Sequence, residues 1–265
     1  MKRTPAIGAV LVIALAMVPT PSTVLAEGSL SAAGSKEWTY TLTPYMWMIG
    51  LNGDMTVEGT KSEVNTNFGD ILSNLDFAIQ AHGEAWKGDW GLFLDGTYGN
   101  LGVDGNTGPV DVNVDDRFYQ LEFGALYRAA TWHIGENGER EAGLELLAGG
   151  RFTEVKLDVD FNHAPLEIRG KESWTDLIVG ARLTADLAPN WSVILRGDVG
   201  GFGISGDTDM SANGALLFGW RFKSDWHLLF GYRALYQDFQ DGKGANEFRY
   251  KITTHGPIVG LDYSF

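Results

Sequence analysis

The last ten residues of the chain, 256–265, constrain its fold more than any other stretch. Apolar side chains take every second position at the end of this stretch: Val259, Leu261, Tyr263 and Phe265. This period of two predicts a β-strand with one apolar face. Such a strand promotes aggregation when its edge is free, so both of its edges need a partner. Closing the sheet into a barrel supplies both partners, and in lipid a closed barrel is the only β structure that satisfies every backbone group.

Residues 1–26 have the pattern of a secretory signal peptide. A basic start and an apolar run at 6–18 are followed by small residues before Glu27, which is the pattern that a signal peptidase recognises. We therefore expect cleavage before Glu27 and a short periplasmic lead-in over residues 27–37. The apolar run is shorter than the about 20 residues that a membrane-spanning helix needs.

Composition excludes several classes of function. The chain has no cysteine, so disulfides, metal thiolates and a thiol nucleophile are absent. Its formal net charge of −14 argues against nucleic acid as a partner. The 35 glycines and many aromatic residues, with only 8 prolines, are typical of a tightly curved all-β chain. Nothing in the sequence predicts a cofactor.

Ten antiparallel strands are predicted for the barrel domain, residues 38–265. Three tight turns, at 87–90, 188–191 and 223–226, each end in a tryptophan that begins a new alternating strand. Short turns lie on the periplasmic side of a transmembrane barrel and longer segments lie outside. An even number of strands then places both ends of the domain in the periplasm, with eight or twelve strands as alternatives. The predicted strands are 38–50, 77–87, 90–103, 116–128, 142–156, 171–187, 191–204, 212–222, 226–239 and 248–265.

Two segments depart from this regular scheme. Pro44 interrupts the first predicted strand, and because proline has no amide hydrogen it predicts a bulge or a local break there. The segment 129–141 is expected to be an unusually long periplasmic connection between strands.

Two motifs resemble those of bacterial outer-membrane β-barrel proteins. The terminal Tyr263-Ser264-Phe265 is similar to the C-terminal signature of these barrels, which ends in phenylalanine and is read by the barrel assembly machinery. The run at 68–77, FGDILSNLDF, resembles one found in a poorly characterised outer-membrane protein family. The resemblance implies a single up-and-down transmembrane β-barrel in the cell outer membrane. The run at 68–77 itself is interpreted as a short helical turn that packs over the barrel mouth.

Charged side chains occupy the inward positions of the predicted strands. Acids and bases are nearly balanced there, and a ten-stranded barrel is narrow enough for side chains to fill its lumen. We therefore predict a salt-bridged plug rather than an ion-selective pore, because buried charges must be paired. The predicted lumen network comprises His82, Glu84, Asp95, Glu122, Arg151, Asp176, Arg182, Arg196, Asp198 and Arg233.

One inward pair suggests a catalytic alternative. The two-residue turn between the second and third predicted strands sets a register that places His82 opposite Asp95, and a His–Asp pair can act in acid–base catalysis. No serine is required to lie beside this pair, and the middle of the membrane is difficult for a substrate to reach. A structural hydrogen bond is therefore favoured. The other candidates for a hydrolase lie in a loop: Asp158, Asp160 and His163.

Above the membrane the alternation inverts on seven strands, so that apolar residues point inward and charged residues point outward. This inversion predicts strands that project outside the cell around an apolar interior. The interior is interpreted either as a plain hydrophobic core or as a small chamber for a hydrophobic ligand. The candidate chamber residues are Leu51, Met55, Val57, Leu101, Val112, Val114, Leu157, Val159, Ile168, Phe202 and Tyr250.

Acidic residues dominate the extracellular stretches and form a predicted acidic crown. Carboxylates on neighbouring strands offer weak candidates for a Ca²⁺ or Mg²⁺ site, although a solvated acidic surface without metal is the favoured interpretation. Bridging by divalent cations to lipopolysaccharide is an intermediate hypothesis. The weak metal candidates are Asp111, Asp115, Asp158 and Asp160.

Three functions are consistent with these patterns. The first is a non-enzymatic outer-membrane barrel with a plugged lumen and a structural or binding role, in contact with membrane lipid and lipopolysaccharide. The second is a channel or uptake barrel for small or hydrophobic solutes. The third is an outer-membrane hydrolase or acyltransferase. We favour the first.

Overall fold

The computed structural model describes residues 36–107, 110–161, 167–203 and 208–265. The predicted signal peptide and nearly all of the predicted lead-in lie outside these residues. Within the described ranges, no helix is both long enough and apolar enough to cross a lipid bilayer.

Strands make up almost all of the described chain. They alternate with tight turns, and several of those turns carry glycine or proline, as the sequence requires for reversing an extended chain. The strands are β1 Thr39–Trp47, β2 Gly50–Val57, β3 Thr60–Thr66, β4 Leu75–Lys87, β5 Trp90–Thr107, β6 Val110–Ile134, β7 Arg140–Phe161, β8 Glu167–Ala188, β9 Trp191–Gly201, β10 Thr208–Lys223, β11 Trp226–Asp241 and β12 Phe248–Ser264.

Ten of these strands close into an antiparallel barrel. Each strand from β4 to β12 pairs with the next one in the chain, and β1 pairs with both β4 and β12. The predicted up-and-down barrel of ten strands is confirmed. The predicted hairpin registers are confirmed as well, since Lys87 pairs with Trp90 and His82 with Asp95.

The first predicted strand, 38–50, is β1, which ends at Trp47, and a second strand, β2, begins at Gly50 and shares β12 as a neighbour. β1 pairs with the lower part of β12, β2 pairs with the upper part of β12, and β2 turns back into β3. The predicted local break at Pro44 is also present, because β12 has no partner at Thr43 or Pro44 while β4 pairs with both. The two strands β2 and β3 are therefore additions to the wall on its extracellular side.

The expected long connection at 129–141 is wrong. β6 extends to Ile134 and β7 begins at Arg140, so a short turn joins two long strands. A register shift between Arg128 and Ala130 lets both strands continue past the end of the regular ladder, because a bulge absorbs one extra residue without ending the pairing.

The run at 68–77 contains a short helix, as predicted. This helix, α1, spans Phe68–Asn74 and begins at a capping box, in which Asn67 and Asp70 each accept a hydrogen bond from the other's backbone amide. Such a box satisfies two amides that the helix leaves unpaired. No residue of α1 is buried, so the helix is not the packed cover over the barrel mouth that was expected.

An apolar belt surrounds the outside of the barrel. Leu92, Leu94, Leu195, Val199 and Leu216 are each between 43% and 56% exposed although they lie in the middle of regular strands. A water-soluble surface seldom presents a continuous apolar band of this kind, whereas lipid requires one.

Aromatic rings border this belt at the end of the barrel that carries the tight turns. Trp90 contacts Tyr127 with ring centroids 4.8 Å apart, and Trp226 contacts Tyr263 at 4.6 Å. Phe265 stacks on Tyr40 at 5.7 Å. Amphipathic rings favour the membrane–water interface, so these contacts mark the periplasmic edge of the membrane.

Close strand packing makes one glycine of the wall intolerant of a side chain. A Cβ atom on Gly231 would lie 2.0 Å from the backbone oxygen of Leu216, whereas one on Gly197 would meet nothing within 4 Å. We expect Gly231→Ala to lower the free energy of unfolding by about 1–3 kcal/mol, because the backbone must shift to relieve the clash. We expect Gly197→Ala to stay within about 0.5 kcal/mol of the parent. Urea titration in detergent micelles compares the two, and equal stabilities would contradict the close approach.

Candidate functional site

The inner surface of the barrel holds a cluster of charged side chains at mid-height. The register of five consecutive strands places these residues in one row across the wall, since each is the direct partner of the next. Every second residue of a strand points inward, so the row faces the lumen. In strand order from β4 to β8 it reads His82, Asp95, Glu122, Arg151 and Asp176.

Arg151 and Glu122 lie at the centre of this cluster, and both side chains have no solvent exposure. Arg151 donates from Nε to Glu122 Oε1 at 2.9 Å and from Nη2 to Asp198 Oδ1 at 2.6 Å. Glu122 also accepts from Nη2 of Arg196 at 2.8 Å and from Nη2 of Arg233 at 2.5 Å. Three guanidinium groups therefore surround one carboxylate.

A second set of ion pairs lies beside the first. Arg182 donates to Glu84 and, from Nε, to Glu145 Oε2 at 2.5 Å. His82 lies 2.9 Å from Glu84 through Nε2 and 3.1 Å from Asp95 Oδ2 through Nδ1. Both ring nitrogens of this histidine are therefore occupied by carboxylates.

Arg233 joins the two sets into one cluster. Its Nη1 lies 3.6 Å from Asp95 Oδ1, while its Nη2 donates to Glu122. Charge-assisted hydrogen bonds of this kind stabilise buried ions only when nearly every charge has a partner. The result is a continuous path of ion pairs from Glu145 on β7 to Asp198 on β9. We call this set of ion pairs the charged cluster.

Nine of the ten predicted lumen residues have hydrogen bonds or ion pairs within the charged cluster. The tenth, Asp176, is fully buried, lies directly opposite Arg151 in the register of β7 and β8, and also has a partner. The sequence prediction missed the polar residues that complete the cluster. Tyr45 donates its hydroxyl to Asp95 at 2.9 Å, and Asn213 donates to Asp198 at 2.8 Å. Both occupy inward positions, so the period of two would have identified them had uncharged residues been considered.

An upper apolar core lies on the extracellular side of the charged cluster. Trp174 stacks on Phe239 with ring centroids 4.4 Å apart and lies 5.4 Å from Tyr250. The predicted chamber residues Leu51, Met55 and Val57 pack against this core. Trp174 and Phe239 were not predicted, and both are buried members of this core. The buried members are Val155, Trp174, Phe239, Phe248, Tyr250 and Ile252.

The prediction that Phe202 lines the chamber is wrong. Its side chain is 55% exposed, because β9 ends at Gly201 and the chain turns there. Phe202 has a φ of +57° between two glycines with positive φ, and this turn ends the alternation on which the prediction depended.

Several predicted residues lie outside the side chains that the structure describes. They are the chamber candidates Leu101, Val112, Val114, Leu157, Val159 and Ile168, the metal candidates Asp111, Asp115, Asp158 and Asp160, and the loop candidate His163. Among the side chains that are described, no group of three or more histidine, aspartate or glutamate residues is arranged to hold a metal ion.

A lower cavity of about 190 Å³ lies on the periplasmic side of the charged cluster. Its lining extends from Asp95 and Arg233 in the charged cluster down to Pro189 and Asn190 in the turn between β8 and β9. Three of the strands that line the cavity, β9, β10 and β12, contribute small residues to it. Examples are Ser192, Ala215 and Gly260.

The charged cluster makes the stability of the barrel depend on Arg151. Replacing it with methionine leaves Glu122 and Asp198 buried without one of their cations. We expect Arg151→Met to cost about 3–5 kcal/mol of unfolding free energy. Lys171→Met is the control, because Lys171 lies 3.2 Å from Glu154 on the surface with 57% of its side chain exposed, and such a pair contributes about 0–1 kcal/mol. Similar losses in urea titrations of the two variants would contradict a buried ion-pair network.

Comparison with known proteins finds similarity only to solved structures, and at low sequence identity. No family model and no curated protein matches the chain. Solved structures that resemble it include the translocator domain of the autotransporter NalP from Neisseria meningitidis, at 12% identity over 89% of this chain and 92% of that one, with a TM-score of 0.38. Ail of Yersinia pestis is 12% identical over 86% and 98%, with a TM-score of 0.34. The toluene transporter TodX of P. putida is 9% identical over 90% and 94%, with a TM-score of 0.27.

The location of the protein follows from its own wall. The ten-stranded wall has no free edge, its outside is an apolar belt bordered by aromatic rings, and its charged residues at mid-height form ion pairs inside the lumen. Lipid accepts a β-sheet only in this form. The chain is an integral β-barrel protein of the outer membrane.

Proposed function

We propose that the protein is a non-conducting, non-enzymatic outer-membrane barrel with a structural or binding role. The observation that carries this proposal is the charged cluster, in which Arg151, Glu122 and Asp176 are completely buried. Side chains that exclude water from the middle of a lumen also exclude hydrated ions.

Barrel size supports this proposal. A wall of about eight to ten strands encloses a space that side chains can fill, and a wide aqueous channel opens only at about 16 strands. Here the described lumen contains two barriers, one at mid-height and one above it. The charged cluster closes the middle, and the stack of Trp174 on Phe239 closes the part above it.

Opening the lumen would have a large energetic cost. The carboxylate of Glu122 would have to separate from Arg151, Arg196 and Arg233, and breaking a buried ion pair by removing one partner costs about 3–5 kcal/mol. A stable open state would need new partners for all of these charges, and a water-filled lumen would supply them only after the cluster had already come apart.

The uptake alternative receives no support from the residues on which it depended. A hydrophobic route was expected to pass Phe202 and Tyr250. Phe202 faces outward on a turn, and Tyr250 is buried against Trp174. A solute moving along this route would have to displace a packed aromatic cluster before it reached the charged one.

The catalytic alternative also lacks a supporting feature. His82 is held by Glu84 and Asp95 through its two ring nitrogens, so neither nitrogen is available to activate a nucleophile. This arrangement supports a structural role for the His82–Asp95 pair.

Partners are proposed from the surface rather than from the lumen. Membrane lipid and lipopolysaccharide would contact the apolar belt and the acidic crown, with divalent cations as bridges. The barrel assembly machinery would contact the C-terminal strand, whose last residue exchanges two backbone hydrogen bonds of 2.9 Å with Tyr40.

The first test of the proposal is conductance. Purified protein in planar lipid bilayers is expected to give no sustained current steps, because hydrated ions cannot pass the charged cluster. The variant Arg151→Ala/Arg233→Ala removes two cations of the cluster and is expected to give current steps. The control Leu216→Ala removes a lipid-facing side chain of β10 and is expected to stay silent. Sustained large steps from the unmodified protein would overturn the proposal.

The second test separates structure from catalysis at His82. His82→Ala is expected to lower the free energy of unfolding by about 1–3 kcal/mol, because it removes two buried hydrogen bonds. Hydrolysis of chromogenic ester and peptide substrates by the parent protein is expected to equal that of the variant and of a protein-free micelle control. Hydrolysis that disappears only in the variant would show that the histidine is catalytic.

A further inference from the structure

The lower cavity contains a carboxylate that the charged cluster does not use. Asp262 lies on β12 and lines the cavity. Its Oδ1 atom is buried and accepts no hydrogen bond from the residues that the structure describes. A buried acceptor without a donor has an energetic cost, so a ligand that supplies a donor at this position gains binding energy.

Six bases line the same cavity: four pair with acids, Arg221 donates to the backbone oxygen of Pro189, and His227 lies directly opposite Asp262 in the register of β11 and β12. Arg182 pairs with Glu84 and Glu145, and His82 pairs with Glu84 and Asp95. In the same way, Arg196 and Arg233 pair with acids of the charged cluster. Asp262 Oδ1 therefore lacks a donor among the described residues, and an ammonium group supplies a donor together with a positive charge.

Apolar side chains form part of the cavity wall, beside polar ones such as Thr41, Thr184 and Asn190. Ile194, Leu217, Leu229 and Ile258 line it from four consecutive strands. A cavity of about 150 Å³ lined by apolar side chains holds one benzene molecule. The lower cavity, at about 190 Å³, therefore has room for one ring or a short alkyl chain beside a polar group.

We propose that the lower cavity is a binding site for a small amphipathic amine that enters from the periplasmic side. Its ammonium group donates to Asp262, and its apolar body lies against Ile194, Leu217 and Leu229. Entry is from the periplasm because the lining reaches Pro189 and Asn190 at the turn end of the barrel, whereas the charged cluster closes the other end. Entry from the periplasm alone therefore depends on the proposed function, in which the charged cluster closes the lumen.

The test uses 2-phenylethylamine as the probe and isothermal titration calorimetry of the full-length protein in detergent. Asp262→Asn keeps the shape of the side chain and removes its charge, so we expect it to weaken binding by about tenfold or more. We expect 2-phenylethanol, which is neutral and of the same size, to bind more weakly than the amine by a similar factor. We expect 3-phenylpropionate, an anion, to give no measurable binding.

Two further variants control for the cavity and for the loss of charge. Ala215→Phe places a ring in the cavity and is expected to abolish binding. Asp89→Asn removes an acid from the turn between β4 and β5, where 59% of the side chain is exposed, and is expected to leave binding unchanged. Electrophoresis of unheated samples establishes that each variant retains a folded barrel.

The proposal is overturned if the parent protein does not bind the amine. It is also overturned if Asp262→Asn binds as tightly as the parent, or if the alcohol binds as tightly as the amine. Conductance is measured separately. If the protein conducts ions and still binds the amine, the proposed closed lumen is contradicted and the proposed binding site is retained. If it does not conduct ions and does not bind the amine, only the proposed binding site is contradicted.

Discussion

Pairing between β1 and β12 is the interaction on which the rest of this structure depends. Five residue pairs join the two strands, from Thr41 with Ser264 to Trp47 with Ile258. They connect the beginning of the wall to its end, and without them two rows of backbone groups would face lipid. The cost of several kcal/mol for each unpaired group in a bilayer makes such an edge untenable. The alternating pattern of the last strand is the sequence feature that makes this closure necessary.

Closure also explains why the lumen is charged. A closed wall has two faces, and once lipid takes the apolar one, the other face must hold every polar residue of the alternating strands. In a narrow barrel those residues meet across the axis. They are stable there only as partners of one another, and the grouping of Glu122 with Arg151, Arg196 and Arg233 is the outcome. The charged cluster is thus a consequence of the fold as well as a barrier within it.

The sequence predicted features that depend on alternation and failed where the alternation stops. The wall, the register of His82 with Asp95 and the inward direction of Arg151 all follow from a period of two. Phe202 was misplaced because Gly201 and Gly203 allow a turn with positive φ, and alternation carries no information across a turn. The connection at 129–141 was misread because the bulge near Arg128 hides the continuation of β6.

Other features of the site could not be predicted from the pattern of a single strand, because they are formed by residues of several strands. Trp174 and Phe239 come from β8 and β11, and only the curvature of the barrel brings their rings together. The lower cavity is the space left where small residues of several strands face the same level. Its existence depends on the volumes of side chains that are remote in sequence, and a pattern along a single strand does not contain that information.

The separation of β2 from β1 after Trp47 has a mechanical consequence. In the described part of the chain, β3 pairs only with β2, and β5 beyond Leu101 pairs only with β6. The extracellular portion is therefore a folded sheet with a lengthwise seam, and it is attached to the tube below it through β12 and the other long strands. No backbone pairing crosses this seam in the described residues, so side-chain packing in the upper apolar core, to which β2 and β3 contribute Leu51 and Val64, joins its two sides, while the hydrogen-bond ladder inside the bilayer does not depend on it.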